Sequence, residues 1–321
     1  MAQISSDGLT LEKAYAACRA IARREAKNFY YAFVALPKPK RNAICAIYAF
    51  MRQADDLADD ESLPNGERRR RLDAWLTKWR AFCEAPANDN PVPDDPVFFA
   101  VRDAITRFSI PPSLLDELVA GVTMDLDRAV TEPASGEVGE PASDTYATFA
   151  DLYHYCYLVA SVVGLVCIHI FGYTDPRAEK FAEETGIAFQ LTNILRDVAE
   201  DAERQRVYLP LEELAAHDVT LESLLHRAPA APLTTNERAL LASIARRAED
   251  YYQSAQKLLP LIDRESRPAL WVLVSIYHGL LQRIERADYD VFSRRASVPM
   301  PQKLGILAIG LTRMGLARLF A

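Results

Sequence analysis

The stretch Ile47–Asp60, "IYAFMRQADDLADD", decides how this chain is read. Its apolar residues recur at helical spacing. Tyr48, Arg52, Asp55 and Asp59 follow one another at intervals of four, three and four residues, so on a helix they share one face. Two carboxylates one turn apart repel each other by roughly a few tenths of a kcal/mol, so this face calls for a positive partner. The arrangement returns at position 190 in "QLTNILRDVAEDAERQRVYLP". There Gln190, Asn193, Asp197 and Asp201 form one stripe, while Leu191, Ile194, Leu195 and Val198 fill the other side. A solvated helix face normally sets Lys against Glu at i,i+4. These two faces instead place like charges together, beside a tyrosine and amides. Paired carboxylates suit Mg²⁺, a hard cation that joins carboxylates to substrate phosphates. Arg52, Arg196 and Arg206 supply guanidinium groups for the phosphate oxygens left over. The two stripes therefore read as one site for magnesium and a diphosphate.

The rest of the chain fits a helical enzyme. Half of its 321 residues are hydrophobic, only 12 are glycine, and helix formers abound. A net charge of −7 argues against a nucleic-acid-binding protein. Five scattered cysteines with no CxxC pair point to a reducing cytoplasm rather than to disulfides or zinc. The start, "MAQISSDGLTLEKAYAA", lacks the pattern of a signal peptide. The uncharged run "YCYLVASVVGLVCIHIFG" (155–172) reaches the lower length limit of a membrane span. It carries His169, Ser161 and Gly164 without basic anchors, so it reads as a buried central helix. His154 and His278 read as satisfied core or pocket-edge residues. No nucleotide-binding or dinucleotide-binding glycine loop is present.

Periodicity predicts helices over about 9–27, 40–60, 66–84, 95–108, 112–128, 145–171, 175–203, 234–259, 266–288 and 300–319, with a short one in "FYYAFVALP" stopped at Pro37. The segments 84–96 and 130–144 read as loops. Neither separates halves that could each enclose a core, so 1–321 reads as one all-α domain.

The paired motifs "YAFMRQADDLAD" and "QLTNILRDVAEDAERQRVYLP" resemble those of the squalene/phytoene synthase family, over about Lys27 to Lys303. The resemblance implies a helical bundle of the isoprenoid synthase type around a central prenyl-binding cavity. It implies magnesium at Asp55, Asp59, Asp197 and Asp201, with manganese as a substitute and Asn193 close to metal or diphosphate. Gln190 would line the site, and Tyr48 and Arg52 match the family's tyrosine and arginine. Tyr155, Val159 and Ala160 match a helix lining the prenyl pocket, Arg206 and Tyr208 the segment closing over the diphosphate, and Tyr277 and Arg294 C-terminal site residues. Three departures stand out: Asn28 in place of a serine or threonine that contacts phosphate, Ser161 where glycine is frequent, and a longer 130–144 segment.

The resemblance also implies the reaction. One prenyl diphosphate ionises, and the resulting allylic cation is attacked by a second to give a cyclopropyl diphosphate, which then rearranges. Tyr48, Tyr155 and Tyr277 are the candidates whose ring faces stabilise the cations. Two farnesyl diphosphates giving presqualene diphosphate or a squalene-type product is the first expectation, with NADPH needed only for squalene itself. The alternative is phytoene from two geranylgeranyl diphosphates. A head-to-tail elongase or terpene cyclase is disfavoured by the absence of a second DDxxD, and a non-catalytic helical assembly factor by the retention of all four aspartates. One turn deeper than Tyr48, Cys45 is expected beside the prenyl tail, with Phe33 facing it. The segment "PQKLGILAIGLTRMGLARLF" has two readings: it lies in the interface of the inner membrane face, or it packs on the domain body.

Overall fold

The computed structural model describes residues 9–60, 62–85, 95–128, 145–228 and 231–319. It is all-α. Among the described residues, fourteen α-helices follow in chain order: α1 (Leu11–Glu25), α2 (Lys27–Val34), α3 (Lys38–Ala58), α4 (Asn65–Glu84), α5 (Pro96–Phe108), α6 (Pro112–Arg128), α7 (Phe149–Cys156), α8 (Val162–Phe171), α9 (Arg177–Glu203), α10 (Leu211–Ala216), α11 (Leu221–Leu225), α12 (Thr235–Leu258), α13 (Arg267–Arg286) and α14 (Met300–Leu319). A π turn, Tyr157–Ser161, joins α7 to α8. No strand occurs among the described residues, only an isolated bridge between Tyr173 and Ile262.

The ends of the helices follow from local chemistry. Pro37 caps α3, in place of the continuous helix its neighbours would otherwise form, and Pro39 fits the first turn, where no N–H is needed. Capping boxes start α7 (Thr148 with Asp151) and α12 (Thr234 with Glu237), each satisfying two otherwise unpaired donors. Gly172 ends α8 at φ +81, where a Cβ would meet the Asp263 carboxylate at 1.9 Å, so only glycine closes this corner.

The run 149–171 is apolar and long enough by composition to cross a membrane. In the fold it is an inner wall, packed along α9. Its π turn is accommodated by Gly186 of α9, where a Cβ would lie 2.5 Å from the Ser161 Cα. The Ser161 hydroxyl donates to the Glu183 carbonyl at 2.6 Å, which gives this departure from the family pattern a structural use. α9 packs in turn along α12, and α3 along α1 and α5. Buried leucines and isoleucines such as Leu191, Leu195, Ile187, Ile168 and Ile170 lock these contacts, each contributing about 1.5–3 kcal/mol. The helices meet around a cavity.

Candidate active site

The cavity has a volume of about 360 Å³ and is walled by α2, α3, the π turn with α8, α9 and α13. Along α9 it runs from Asn193 to Ala182, a rise of about 16 Å. Its body is apolar: Leu36, Ile44, Ile168, Phe171, Leu258 and Leu270 line it far from the aspartates. Between body and mouth stand aromatic rings. Phe189 stacks on Tyr277 (centroids 4.5 Å apart), Phe29 lies 5.5 Å from Tyr277, and Phe33 meets Tyr48 edge-on at 6.1 Å. Burial pushes the Tyr277 phenol up to about 12, so it is a neutral hydroxyl, hydrogen-bonded to Asn193.

The mouth is polar. Arg52, Asp55, Gln190 and Asn193 line it. Arg52 pairs with Asp56 one turn on, at 2.5 Å. The Asn193 amide donates to Gln190 at 3.3 Å, while its buried Oδ1 accepts no hydrogen bond. Asp197 and Asp201 continue the stripe, about 6 and 12 Å along the helix from Asn193. Arg196 grips Asp197 with two N–H groups, and Arg295 adds two more at 3.0 and 2.7 Å. Burial alone would push the Asp197 carboxyl up; the two guanidinium groups more than reverse this and hold it below its ordinary range. Asp201 is pushed up to about 7, first by burial and then by the neighbouring Asp197 charge, with Arg206 opposing.

Arg206 connects the two pairs. The backbone turns back after α9 with Gln205 at φ +59, and the Arg206 N–H donates to the Asp201 carbonyl at 2.9 Å. Its side chain lines a second hollow of about 90 Å³ together with Asp55, Asp59 and Arg68. Two arginines and both first-helix aspartates thus share one recess beside the mouth.

The profile of the squalene/phytoene synthase family matches residues 22–302. This chain belongs to that family. A 15-cis-phytoene synthase of Synechococcus elongatus is 34% identical over 317 residues, covering 95% of this chain and 94% of its own. A phytoene synthase of Mycobacterium tuberculosis is 34% identical over 301 residues, covering 94% and 91%. The crystal structure of a dehydrosqualene synthase in complex with ligand superposes with a TM-score of 0.77 at 30% identity, over 95% of this chain and 98% of that one. Members of the squalene/phytoene synthase family are prenyltransferases, and the isoprenoid synthase fold expected from the motifs is the fold found.

Against this family frame, most of the expected residues converge. Phe33, Tyr48, Arg52, Asp55, Val159, Ala160, Gln190, Asn193 and Tyr277 line the cavity, and Asp59 and Arg206 line the adjoining hollow. Four expectations are corrected. Cys45 is fully buried away from the cavity, with Cys18 of α1 among its electrostatic neighbours; Ile44 takes its place on the cavity wall. Tyr155 is absent from the cavity wall and sits in a ring stack with Tyr208 (5.1 Å) and Tyr146 (5.5 Å) beneath the turn that carries Arg206. Arg294 and Arg295 are both exposed, and it is Arg295 that reaches Asp197 and Glu200. His154 is exposed rather than core, whereas His278 is held by Glu249 at 2.7 Å over Tyr252. Asn28 lies outside the described side chains, and 130–144 outside the described residues. Arg68 and Arg295 also border the aspartates, and no sequence pattern singles them out. Arg68 is masked by a run of four arginines, and Arg295 by an arginine beside it in a segment with no helical period.

The donor set fits a hard divalent cation. Carboxylates and an amide oxygen are its preferred ligands. The Asn193 Oδ1 is a buried acceptor in need of a donor or cation, and Asp201 is a partly buried carboxyl beside a like charge. Among the described residues no three His, Cys, Asp or Glu side chains converge as a closed metal cage.

Proposed function

We propose that this protein, acting as one unit over its whole chain, condenses two geranylgeranyl diphosphates head to head to phytoene. The observation that carries the reading is the cavity itself: an apolar body ringed by tyrosine and phenylalanine, opening on an arginine, two amides and an aspartate. The choice of substrate follows the relatives at 32–34% identity, which are named phytoene synthase or 15-cis-phytoene synthase. They favour the alternative expectation over the farnesyl one. The likeness to a dehydrosqualene synthase keeps farnesyl diphosphate as the second reading.

Asp55, Asp59, Asn193, Asp197 and Asp201 would hold magnesium or manganese, which when bound supplies the positive charge that a leaving diphosphate needs. Arg52, Arg196, Arg206 and Arg295 donate N–H groups to the phosphate oxygens, fixing both the charge and its orientation. Arg68 borders the same recess. Tyr48, Phe189 and Tyr277 present ring faces to the allylic cation, and the apolar wall keeps water from quenching it. The two half-reactions each release one diphosphate and one proton, so phytoene needs no reductant; NADPH enters only in the squalene outcome. Substrate tails and product are lipids, and the protein works in the cytoplasm at a membrane surface.

Incubation with labelled geranylgeranyl or farnesyl diphosphate and Mg²⁺, with and without NADPH, tests the assignment. A C40 hydrocarbon independent of NADPH is expected. A C30 product from farnesyl diphosphate, with no C40 product, overturns the choice of substrate, and no condensation with either overturns the function.

A further inference from the structure

Four large apolar side chains are exposed among the described residues, and three lie on α14: Met300 (56%), Leu304 (51%) and Ile309 (49%). The inner side of this helix is well seated. A Cβ at Gly310 would lie 2.4 Å from the Val272 side chain, so glycine lets α14 close on α13. Arg283 donates to Gln302 at 2.7 Å, Arg313 lies 4.0 Å over the Trp271 ring, and Ile306, Leu307 and Leu311 pack on the core. The packing reading of this segment therefore accounts for one side only. Turned outward are Met300, Pro301, Leu304, Gly305, Ala308, Ile309 and Thr312, all exposed and none charged. A helix face of this kind is left without a partner.

Charge identifies the partner. In a chain of net charge −7, nothing after Asp290 is acidic, while Arg294, Lys303 and Arg318 are basic, besides Arg295, which Asp197 and Glu200 hold, and Arg313, which lies over Trp271. An apolar helix face within a basic, acid-free segment matches a bilayer that carries anionic headgroups. A second copy meeting this face about a two-fold axis would bring the two basic segments together, which is unfavourable. We infer that the outward face of α14 lies in the headgroup–acyl boundary of an anionic membrane. The inference rests on the proposed function in one respect: α14 touches α2, through Tyr31 and Met300 at 2.7 Å, and packs on α13. Both helices wall the cavity, so docking sets the cavity beside the phase that holds lipid substrate and product.

The test is flotation of the full chain with vesicles of phosphatidylcholine alone or mixed with phosphatidylglycerol. It compares the native protein with L304E/I309E and with the milder L304S/I309S. Light scattering gives the oligomeric state, and turnover of geranylgeranyl diphosphate is read separately in detergent micelles. The native protein is expected to float with the anionic vesicles at least about fivefold more than with the neutral ones, less so in high salt, and both variants to lose that gain. Turnover in detergent and helical circular dichroism should be unchanged in both variants. Equal flotation of native protein and the folded variants, or no flotation of the native protein, overturns the inference. So does a dimer that the substitutions dissociate, which would assign the face to a second copy. Absent turnover in detergent counts against the proposed function alone, because flotation is read without it.

Discussion

The first aspartate pair stands at the end of α3, where Asp59 has already left the helix and is exposed. The second lies within the last turns of α9, partly buried, with Asp197 gripped by Arg196 and Arg295. Asp59 faces solvent, while Asp197 is held by the protein's own cations. The same carboxylate spacing therefore carries two electrostatic conditions. At Asp197 two guanidinium groups balance the charge, while burial and the Asp197 charge itself leave Asp201 raised. Arg206, from the second motif but beside the first pair, makes the two interdependent.

The largest effects should come from breaking either pair. Asp55→Asn and Asp201→Asn should each lower kcat at least about a hundredfold, the scale of losing one main transition-state stabiliser, with unchanged circular dichroism. Steady-state kinetics check this, and near-normal turnover in either variant would remove that aspartate from the site. A smaller loss sharpens the contrast in counter-charge. Arg295→Ala should cost about tenfold in kcat/KM, as removal of one charged hydrogen-bonding partner does, while Arg294→Ala stays within about twofold. The reverse order would restore Arg294 as the site residue.

Stability separates the two members of the second pair by pH. The Asp201 carboxyl is raised to about 7 from an ordinary 3.8. Between those values the folded protein keeps a proton that the unfolded chain has released, so this group makes the metal-free protein less stable as pH rises from about 4 to 7. Asp197, held low, acts in the opposite sense at more acid pH. Asp201→Asn should therefore raise the Tm at pH 8 by about 2–5 °C, the shift that roughly 1–2 kcal/mol produces in a chain of this size, and leave it nearly unchanged at pH 4. Thermal scans at both pH values check it; an equal shift at both would mean that packing, not charge, is responsible. The smallest effect belongs to Cys45. Cys45→Ala should cost about 1 kcal/mol of packing in a denaturant titration and leave the ratio of C40 to C30 product unchanged. A changed ratio would put Cys45 back on the cavity wall.

Much of this architecture was legible because long amphipathic helices repeat their pattern over many turns. Among the described residues, nine long helices, the helical run that begins at Phe149 and both aspartate stripes follow from spacing alone. What escaped did so for local reasons. α10 and α11, of six and five residues, are too short to show a period. Cys45 and Ile44 stand three and four residues before Tyr48, and helical spacing allows either to share its face; packing on α1 settled it. Tyr155 precedes a π turn, and the extra residue in that turn rotates the register, so a face counted back from Val159 and Ala160 misses it. The π turn itself depends on Gly186, a contact between helices that no local pattern records. Arg294 and Arg295 lie in a non-helical segment, where adjacency offers no way to choose.

The central claim, that the two pairs make one metal–diphosphate site, is tested most directly by a double-mutant cycle on pyrophosphate binding in the presence of Mg²⁺. Calorimetry on the native protein, Asp55→Asn, Asp201→Asn and the double variant gives the four affinities. If one ligand is held by both pairs, the double variant should bind only about as weakly as the weaker single, leaving a coupling above roughly 1 kcal/mol. Losses that simply add, or a single variant that binds pyrophosphate as the native protein does, would show two independent clusters and contradict the account.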